Sequence, residues 1–269
     1  MPTKEGCRNG GLTTYRRYPH IFENGRKIGL LKLLESHNRH SFDINLKLSP
    51  ELCEFVGAFI GDGFTSRYRN HYLTQFTGDA RYETEYFKSK LAPIAQRLFG
   101  IDPSFKRLRN TLRMNFYSKS LYLLFTKRFQ MPLGRKNLTV RIPDEIIEGK
   151  QDFVLRTLRG IADTEGMVYF DLRSIYNAPY PRIQICTTSQ PLASQIVKVL
   201  KRMKFNIYVR EDTRTEHPVF HIEIYGPTQL QKWLRGIGFS NKKHLDKIRR
   251  HAPVAQLVDY LSRPTVPPW

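Results

Sequence analysis

The chain has 269 residues, of which 44 are Lys or Arg and 24 are Asp or Glu, so its formal net charge at neutral pH is +20. This length allows a buried core and one or two domains. Such an excess of positive charge indicates a polyanionic partner, and an aromatic content of 12% predicts a folded protein instead of a basic tail. Structural nucleic-acid binders are equally basic, so charge alone does not indicate a nuclease.

Several other classes of protein are excluded by the cysteines and the apolar segments. Cys7, Cys53 and Cys186 are too widely spaced for a zinc motif, and their odd number argues against a disulfide framework. The histidines are interpreted as structural or phosphate-contacting residues. No apolar run reaches the ~18 residues of a membrane helix, and the N-terminus lacks a signal-peptide core. We therefore predict a soluble intracellular protein of the cytoplasm or nucleoid, or of an organelle if the gene is organellar.

The two ends of the chain differ in composition from the rest. Residues 1–49 are basic and punctuated by glycines, which predicts a loosely structured N-terminal extension, or alternatively a separate small DNA-contacting element. Ser49 followed by Pro50 predicts the start of a helix, with Ser49 as N-cap. Residues 252–269 form a tail that becomes rich in proline, and no function is assigned to it.

One apolar stretch occurs twice, at residues 55–63 and 158–166. Each copy predicts a helix with small residues four positions apart, which share one helix face. These are Gly57 and Gly61 in the first copy, and Gly160 and Thr164 in the second. A face without side-chain bulk lets two helix backbones approach closely, so the two copies are predicted to pack on each other.

Each copy ends in an acid followed by a glycine, as Asp62-Gly63 and Glu165-Gly166. Glycine is typical of a helix stop, whereas a carboxylate there faces the negative end of the helix dipole. An unfavourable residue at the same place in both copies needs another explanation. Two carboxylates brought together by a helix pair are suited to hold a divalent cation, and the backbone carbonyls of Gly61 and Thr164 could add oxygen ligands.

The segments after the two motifs run in parallel, as an internal repeat of about 105 residues. The hydrophobic periodicities predict, in each half, a helix, two strands, a helix, two strands and a helix. The halves are predicted to span residues 50–149 and 150–251. Four antiparallel strands with one face on helices leave the other face free, and a β-ribbon fits the major groove of DNA.

Polar residues on the predicted strands are candidates for DNA contacts, because Gln suits adenine and Arg suits guanine. The alternation of the first strand leaves its phase open, with Ser66 and Tyr68 competing against Arg67 and Arg69. Contact with phosphate or plain solvent exposure remains an alternative for each residue. The candidates are Gln75, Thr77, Arg107 and Arg109 in the first half, and Tyr169, Asp171, Arg173, Arg182, Gln184 and Arg210 in the second.

The two nonapeptides resemble the motif of the LAGLIDADG homing endonucleases. The first copy keeps Gly57, Asp62 and Gly63, and the second keeps Leu158, Gly160, Asp163 and Gly166, with Glu165 as its acid. Ile60 and Arg159 depart from the motif, but neither stands at the metal-binding position. The acids are 103 residues apart and matching sequence follows each, and the resemblance covers residues ~50 to ~250.

This resemblance implies an α+β fold of two pseudo-two-fold-related αββαββα half-domains, with the motif helices at the centre and DNA-binding antiparallel sheets. It implies a monomer that uses Mg²⁺, or Mn²⁺, to cut both strands of double-stranded DNA across the minor groove, at a long and asymmetric site. It also implies that a lysine near the scissile phosphate assists. Lys136 and Lys243, in equivalent loops, are the candidates, with Arg135 and Lys242 as alternatives.

Two other functions would suit the same fold: an RNA-splicing maturase that binds intron RNA, and a DNA-binding regulator. Retention of both acids argues against the regulator, whereas the sequence does not separate nuclease from maturase. The chain starts Met-Pro and ends Pro-Pro-Trp, so an intein origin is not expected. We expect an intron-encoded protein instead. The unequal acids also suggest unequal cleavage of the two strands.

Overall fold

The computed structural model describes residues 3–39, 41–134, 136–173, 175–176 and 178–251. The predicted tail, 252–269, and Arg135 lie outside the described residues. The chain divides into two compact units, residues 1–41 and the part from Phe42 onwards. None of the helices in the described part is long and apolar enough to cross a membrane.

The N-terminal unit contains two helices, α1 (Lys4–Arg17) and α2 (Pro19–Arg39). The expectation that this segment is loosely structured is therefore wrong. It was based on the glycines, which lower helix propensity. The unit also ends earlier than position 49. Residues 42–48 instead belong to the second unit, where their alternate apolar side chains pack against its core: Phe42, Ile44, Leu46 and Leu48.

The second unit is built around two long helices, α3 (Pro50–Asp62) and α8 (Gln151–Glu165). Helix α3 starts as predicted, because the Ser49 side chain accepts a hydrogen bond from the Leu52 N–H and Pro50 stands in the first turn. Close packing of the two helices requires glycine at the contact. A Cβ on Gly57 would overlap the Thr157 carbonyl, and one on Gly160 would overlap the Glu54 carbonyl.

Each long helix leads into a four-stranded antiparallel sheet, with strand orders β1-β2-β4-β3 and β5-β6-β8-β7. The first sheet consists of β1 (Gly63–Tyr68), β2 (His71–Asp79), β3 (Ser104–Leu108) and β4 (Thr111–Tyr117). The second consists of β5 (Gly166–Asp171), β6 (Tyr180–Thr187), β7 (Ile207–Asp212) and β8 (Val219–Tyr225). The predicted α+β fold class is confirmed.

Helices cover one face of each sheet and enclose the core. In the first half they are α4 (Thr84–Tyr86), a π-helical turn (Phe87–Leu91), α5 (Ala92–Phe99), α6 (Lys119–Leu123) and a second π-helical turn (Leu124–Arg128). In the second half they are α9 (Gln190–Arg202), α10 (Pro227–Gly236) and α11 (Lys242–His251). The short α7 (Asp144–Ile147) precedes α8. We call the helix-covered side of each sheet its inner face and the other side its outer face.

Candidate functional site

The two acids end the central helices side by side, each at the start of a sheet. Asp62 is the last residue of α3 and Glu165 the last of α8. Both following glycines are extended, Gly63 with φ −80° and Gly166 with φ −92°, so they do not end the helices through a left-handed conformation. Glycine is required there because a Cβ would overlap the preceding turn, at Phe59 and at Ala162.

The two carboxyl groups lie close together in a negatively charged place, where Asp62 is half-buried and Glu165 keeps an exposed surface. Burial raises the pKa of Asp62 well above its usual range, and repulsion from Glu83 and Glu165 raises it further. Burial also raises the pKa of Glu165, against the attraction of Lys136. The Oδ2 atom of Asp62 is buried and has no hydrogen-bond partner among the described residues. A cation placed between the acids would relieve both the repulsion and the missing partner.

Lys136 reaches this place from the loop between the second π-helical turn and α7. Its ammonium donates to the carbonyls of Ile60 and Gly61, in the last turn of α3. The Gly61 carbonyl, predicted as a metal ligand, is therefore already engaged by a lysine. Burial lowers the pKa of Lys136 to about 8, although the attraction of Glu165 and Asp62 opposes this. Lys136 thus supplies positive charge at the end of α3, opposite the acids.

Lys243 lies in the first turn of α11 instead of in the predicted loop, and it is held by an acid, Glu83, that was not among the predicted site residues. Its Nζ lies 2.6 Å from Glu83 Oε1, and the Glu83 side chain is almost fully buried. Glu83 Oε2 also accepts a hydrogen bond of 3.0 Å from the Asp79 N–H. Glu83 stands at the N-cap of α4, where the second half has the neutral Ser189 at the N-cap of α9. Because the acid is not repeated, comparison of the two halves could not reveal it.

A second buried acid, Asp163, anchors the loop that leads into α11, the helix that carries Lys243. Its carboxylate accepts hydrogen bonds from the Ser240 N–H at 3.1 and 3.0 Å and from the Asn241 N–H at 2.9 Å. The Asn241 side chain in turn accepts a hydrogen bond of 3.1 Å from the Lys243 N–H. Asp163 therefore positions Lys243 through the loop. The first half has Ile60 at the corresponding place.

Replacing Asp163 should cost far more stability than replacing an exposed aspartate. In Asp163→Ala the buried N–H groups of Ser240 and Asn241 lose their acceptor, so we expect a loss of about 3 kcal/mol in the free energy of unfolding. The control Asp144→Ala removes an exposed ion pair with Arg141 and should cost less than about 1 kcal/mol. Urea denaturation measures both, and equal losses would show that Asp163 does not anchor the loop.

The buried ammonium of Lys136 should make stability depend on pH. Because its pKa is about 8 in the folded protein and 10.5 as the reference value, the folded state bears the cost of burying the charge below pH 8. That cost disappears as the pH rises from about 8 to about 10.5. The metal-free wild type should therefore gain of order 1–3 kcal/mol relative to Lys136→Met across this interval. The exposed control, Lys198→Met, should show no such change in urea denaturation.

The donor set fits a divalent cation only in part. Within the described residues, no three His, Cys, Asp or Glu side chains come together as a metal-binding group. Asp62 and Glu165 offer two carboxylates, whereas Glu83 is occupied by Lys243. Mg²⁺ suits such a site because it keeps several waters and takes few protein carboxylates. The remaining ligands would then be water and oxygens of a bound phosphate.

The outer face of the second sheet carries most of the predicted contact residues. Opposite residues of antiparallel strands share a face, which places Tyr169 beside Arg182, and Arg210 beside His221. The Arg182 guanidinium lies 5.7 and 4.9 Å from the ring centroids of Tyr169 and Tyr225, and 2.6 Å from Asp171. Arg182 is therefore held in one orientation before any ligand binds. Arg173 lies beyond β5 instead of on a strand.

Gln184 is on the same outer face but is almost fully buried. Its amide donates to Glu223 at 2.8 Å and lies 3.0 Å from His221 Nδ1. Neither partner was predicted from the sequence, since both stand on β8, which contributed no candidates. Any base contact by Gln184 would therefore involve this hydrogen-bonded group as a whole.

The first sheet corrects two predicted positions. Gln75 and Thr77 are on the outer face and hydrogen bond to each other at 2.7 Å. Arg107, however, stands opposite the buried Leu112 and so belongs to the inner-face side, and Arg109 lies in the β3–β4 turn with φ +54°. The outward basic residues here are Lys106 and Arg113, which stand opposite each other and were not predicted from the sequence.

The pairing of β1 with β2 shows which residues of the first strand face outwards, a question that the sequence left open. Thr65 stands opposite Thr74, and both are buried on the inner face. Ser66 and Tyr68 are therefore on the outer face, together with Gln75. Arg67 instead stands opposite Tyr72 on the inner-face side.

Comparison with solved structures identifies the fold. The homing endonuclease I-DmoI in complex with DNA and Mn gives a TM-score of 0.51 at 16% identity, covering 71% of this chain and 97% of that one. I-DmoI in complex with DNA and Ca gives 0.52 at 15% identity, covering 70% and 88%. The homing endonuclease I-WcaI bound to its DNA recognition sequence gives 0.50 at 12% identity, covering 80% and 92%. The chain therefore has the fold of these proteins.

Sequence comparison adds distant relatives only, and no family model matches the chain. It is 27% identical over 203 residues to the replication factor C small subunit of Methanocaldococcus jannaschii, covering 74% of this chain and 10% of that protein. It is 24% identical over 196 residues to the protein of the same name from Thermococcus kodakarensis, covering 73% and 20%. The chain thus spans a tenth to a fifth of the length of these relatives.

Proposed function

We propose that this protein is a site-specific, metal-dependent DNA endonuclease of the LAGLIDADG homing type. The observation that carries the proposal is the pair of carboxylates, Asp62 and Glu165, at the adjoining ends of two packed helices, with one buried oxygen of Asp62 left without a hydrogen-bond partner among the described residues. A buried polar atom without a partner is costly, and a divalent cation bound with DNA supplies that partner. The similarity of the fold to homing endonucleases bound to DNA supports the same substrate.

In this proposal the divalent cation supplies charge neutralisation and an activated water at the scissile phosphate. Asp62 and Glu165 hold it from the protein side. Lys136 and Lys243 bring positive charge to the same place, where extra negative charge develops in the transition state. Glu83 and Asp163 act as positioning residues, because they hold Lys243 and the loop before it.

The outer faces of the two sheets would bind the duplex, with Arg182, Arg210, Lys106 and Arg113 as the basic side chains on them. The faces differ in their side chains, which fits a long and asymmetric target site. The net charge of +20 favours a polyanion of either kind, so DNA is chosen because of the acid pair and the fold. Action as a monomer follows from the presence of both motif helices in one chain.

The direct test is cleavage of a plasmid library of random duplex targets with Mg²⁺, compared with the same reaction in EDTA. We expect a discrete double-strand cut at one long site, with Mg²⁺ only. Random degradation, or no cut in a library that contains bound sites, would contradict a site-specific nuclease.

An RNA-splicing maturase on the same fold remains the second candidate, since the basic surface would also bind intron RNA. Duplex binding without cleavage, combined with tight binding of structured RNA, would favour this candidate. The acid pair has no role in RNA binding, so the nuclease explains more of the structure.

A further inference from the structure

A groove of about 980 Å³ runs between the two halves and is lined by Gly166, the residue that follows Glu165. One wall is formed by residues 81–89 around α4, and the other by the start of β5 and by α11. At one end it reaches Met167, which is exposed and stands opposite Gln184 on the outer face of the second sheet. The groove thus adjoins the proposed DNA-binding face and begins one residue from the acid pair.

The internal repeat shows that this groove has a counterpart on the other flank, and that the counterpart is filled. After Lys136 the chain runs along α9 and makes four hydrogen bonds to this helix and the two residues before it. Asn137 and Val140 accept from Thr188 and Ser189 at 2.8 and 2.5 Å, and Ile142 pairs with Gln195 at 2.7 and 3.0 Å. This segment must lead on to α7 and α8. In the second half the chain enters α11 at Lys242 instead, and among the described residues this helix lines the groove without filling it.

The lining of the open groove is strongly basic. It includes six basic and two acidic side chains. Lys242 is paired with Glu85 at 3.4 Å. Within the described part of the chain, Lys88, Lys247 and Arg250 have no carboxylate at ion-pair distance. Unpaired cations facing a cavity of this size attract an anion.

We propose that this groove binds the sugar–phosphate backbone of DNA on one side of the cleavage centre only. This inference rests on the proposed function and deepens it. The protein binds the two flanks of the DNA target unequally, because one of the two grooves is filled by its own chain. The other flank is occupied by residues 137–142, which hydrogen bond to Thr188, Ser189 and Gln195. The ligand is the phosphate backbone and not the bases, because the side chains of Lys88, Lys247 and Arg250 are flexible cations that offer no hydrogen-bond acceptor to a base.

The test compares two triple variants with the same loss of charge. Lys88→Gln/Lys247→Gln/Arg250→Gln removes the unpaired cations of the groove, and Lys198→Gln/Lys201→Gln/Arg202→Gln removes three exposed cations of α9. Binding of target duplex is measured as a function of salt, and hydroxyl-radical footprints are recorded with Ca²⁺ in place of Mg²⁺. Urea denaturation confirms that both variants fold, and the single variants replace the triple if it does not.

We expect the groove variant to bind about tenfold or more weakly and to reduce the salt slope by about 0.9 for each phosphate that it no longer neutralises. Its footprint should shorten on one side of the cut, whereas the control keeps both sides. If the wild type cuts DNA but both variants have the same slope and footprint, the groove proposal is wrong and the nuclease stands. If the wild type neither binds nor cuts duplex DNA, both proposals are wrong.

Discussion

Asp62→Asn should abolish double-strand cleavage and at the same time stabilise the metal-free protein. The amide keeps the shape of the side chain but loses the negative charge that the divalent cation requires, so we expect a rate lower by about 10³-fold or more, equivalent to about 4 kcal/mol. Stability should rise because burial and repulsion from Glu83 and Glu165 disfavour the ionised carboxylate. Cleavage rates and thermal melting in EDTA measure the two effects.

The sign of the stability effect follows from the pKa of Asp62, which is raised in the folded state. Above the unfolded pKa the folded wild type is destabilised relative to the unfolded chain, and this cost grows until the pH passes the folded pKa. The melting temperature of Asp62→Asn should therefore exceed that of the wild type at neutral pH and approach it in acid. The control Asp144→Asn, on the surface, should change neither rate nor melting temperature. Loss of both activity and stability in Asp62→Asn would contradict this explanation.

Glu165→Gln should also lower the cleavage rate and stabilise the metal-free protein, and its effect on cleavage should differ between the two DNA strands. If each acid chiefly serves one strand, one single variant should nick a defined strand while the other nicks the opposite strand or neither. Cleavage of end-labelled target on denaturing gels measures this. Equal loss on both strands in both variants would show that the acids act as one unit.

The second large effect is expected at the contact between the central helices. Gly57→Ala places a methyl group against the Thr157 carbonyl, which belongs to the backbone of α8 and can move only with the whole helix. We expect a loss of about 3 kcal/mol or more in the free energy of unfolding, at the upper end of overpacking costs. Activity should fall as well, because a shift of either helix separates the acids. Urea denaturation and cleavage rates are the measurements.

The matched control is Gly29→Ala, within α2, where no atom lies within 4 Å of the added Cβ. Alanine favours a helix over glycine by about 1 kcal/mol, so this variant should be neutral or slightly more stable. A similar loss of stability in both variants would argue against a steric requirement at Gly57.

The sequence was sufficient to predict the central helix pair and both acids, because small residues at helical spacing and a repeated, unfavourable acid have few explanations. Lys136 and Lys243 could be found since they stand at equivalent places in the two halves of the sequence. Glu83 could not be found in this way, because its counterpart is Ser189. Its proximity to Lys243 depends on how one half packs against the other, which no local pattern encodes.

The errors have equally local causes. All five residues of β3 are exposed, so there was no buried alternate set to fix which face Arg107 occupies. Arg109 was assigned to a strand because the turn that follows Leu108 lacks glycine, and an arginine takes the left-handed position. Residues 1–39 were misjudged because glycine lowers helix propensity without preventing a helix.

The measurement closest to the central claim is Mn²⁺ binding to the complex of the protein with its target DNA, followed by electron paramagnetic resonance. Wild type should take up Mn²⁺ in the complex, and Asp62→Asn/Glu165→Gln should bind the same DNA but take up none at the cleavage centre. Unchanged Mn²⁺ uptake by the double variant would contradict the claim that these two carboxylates hold the metal.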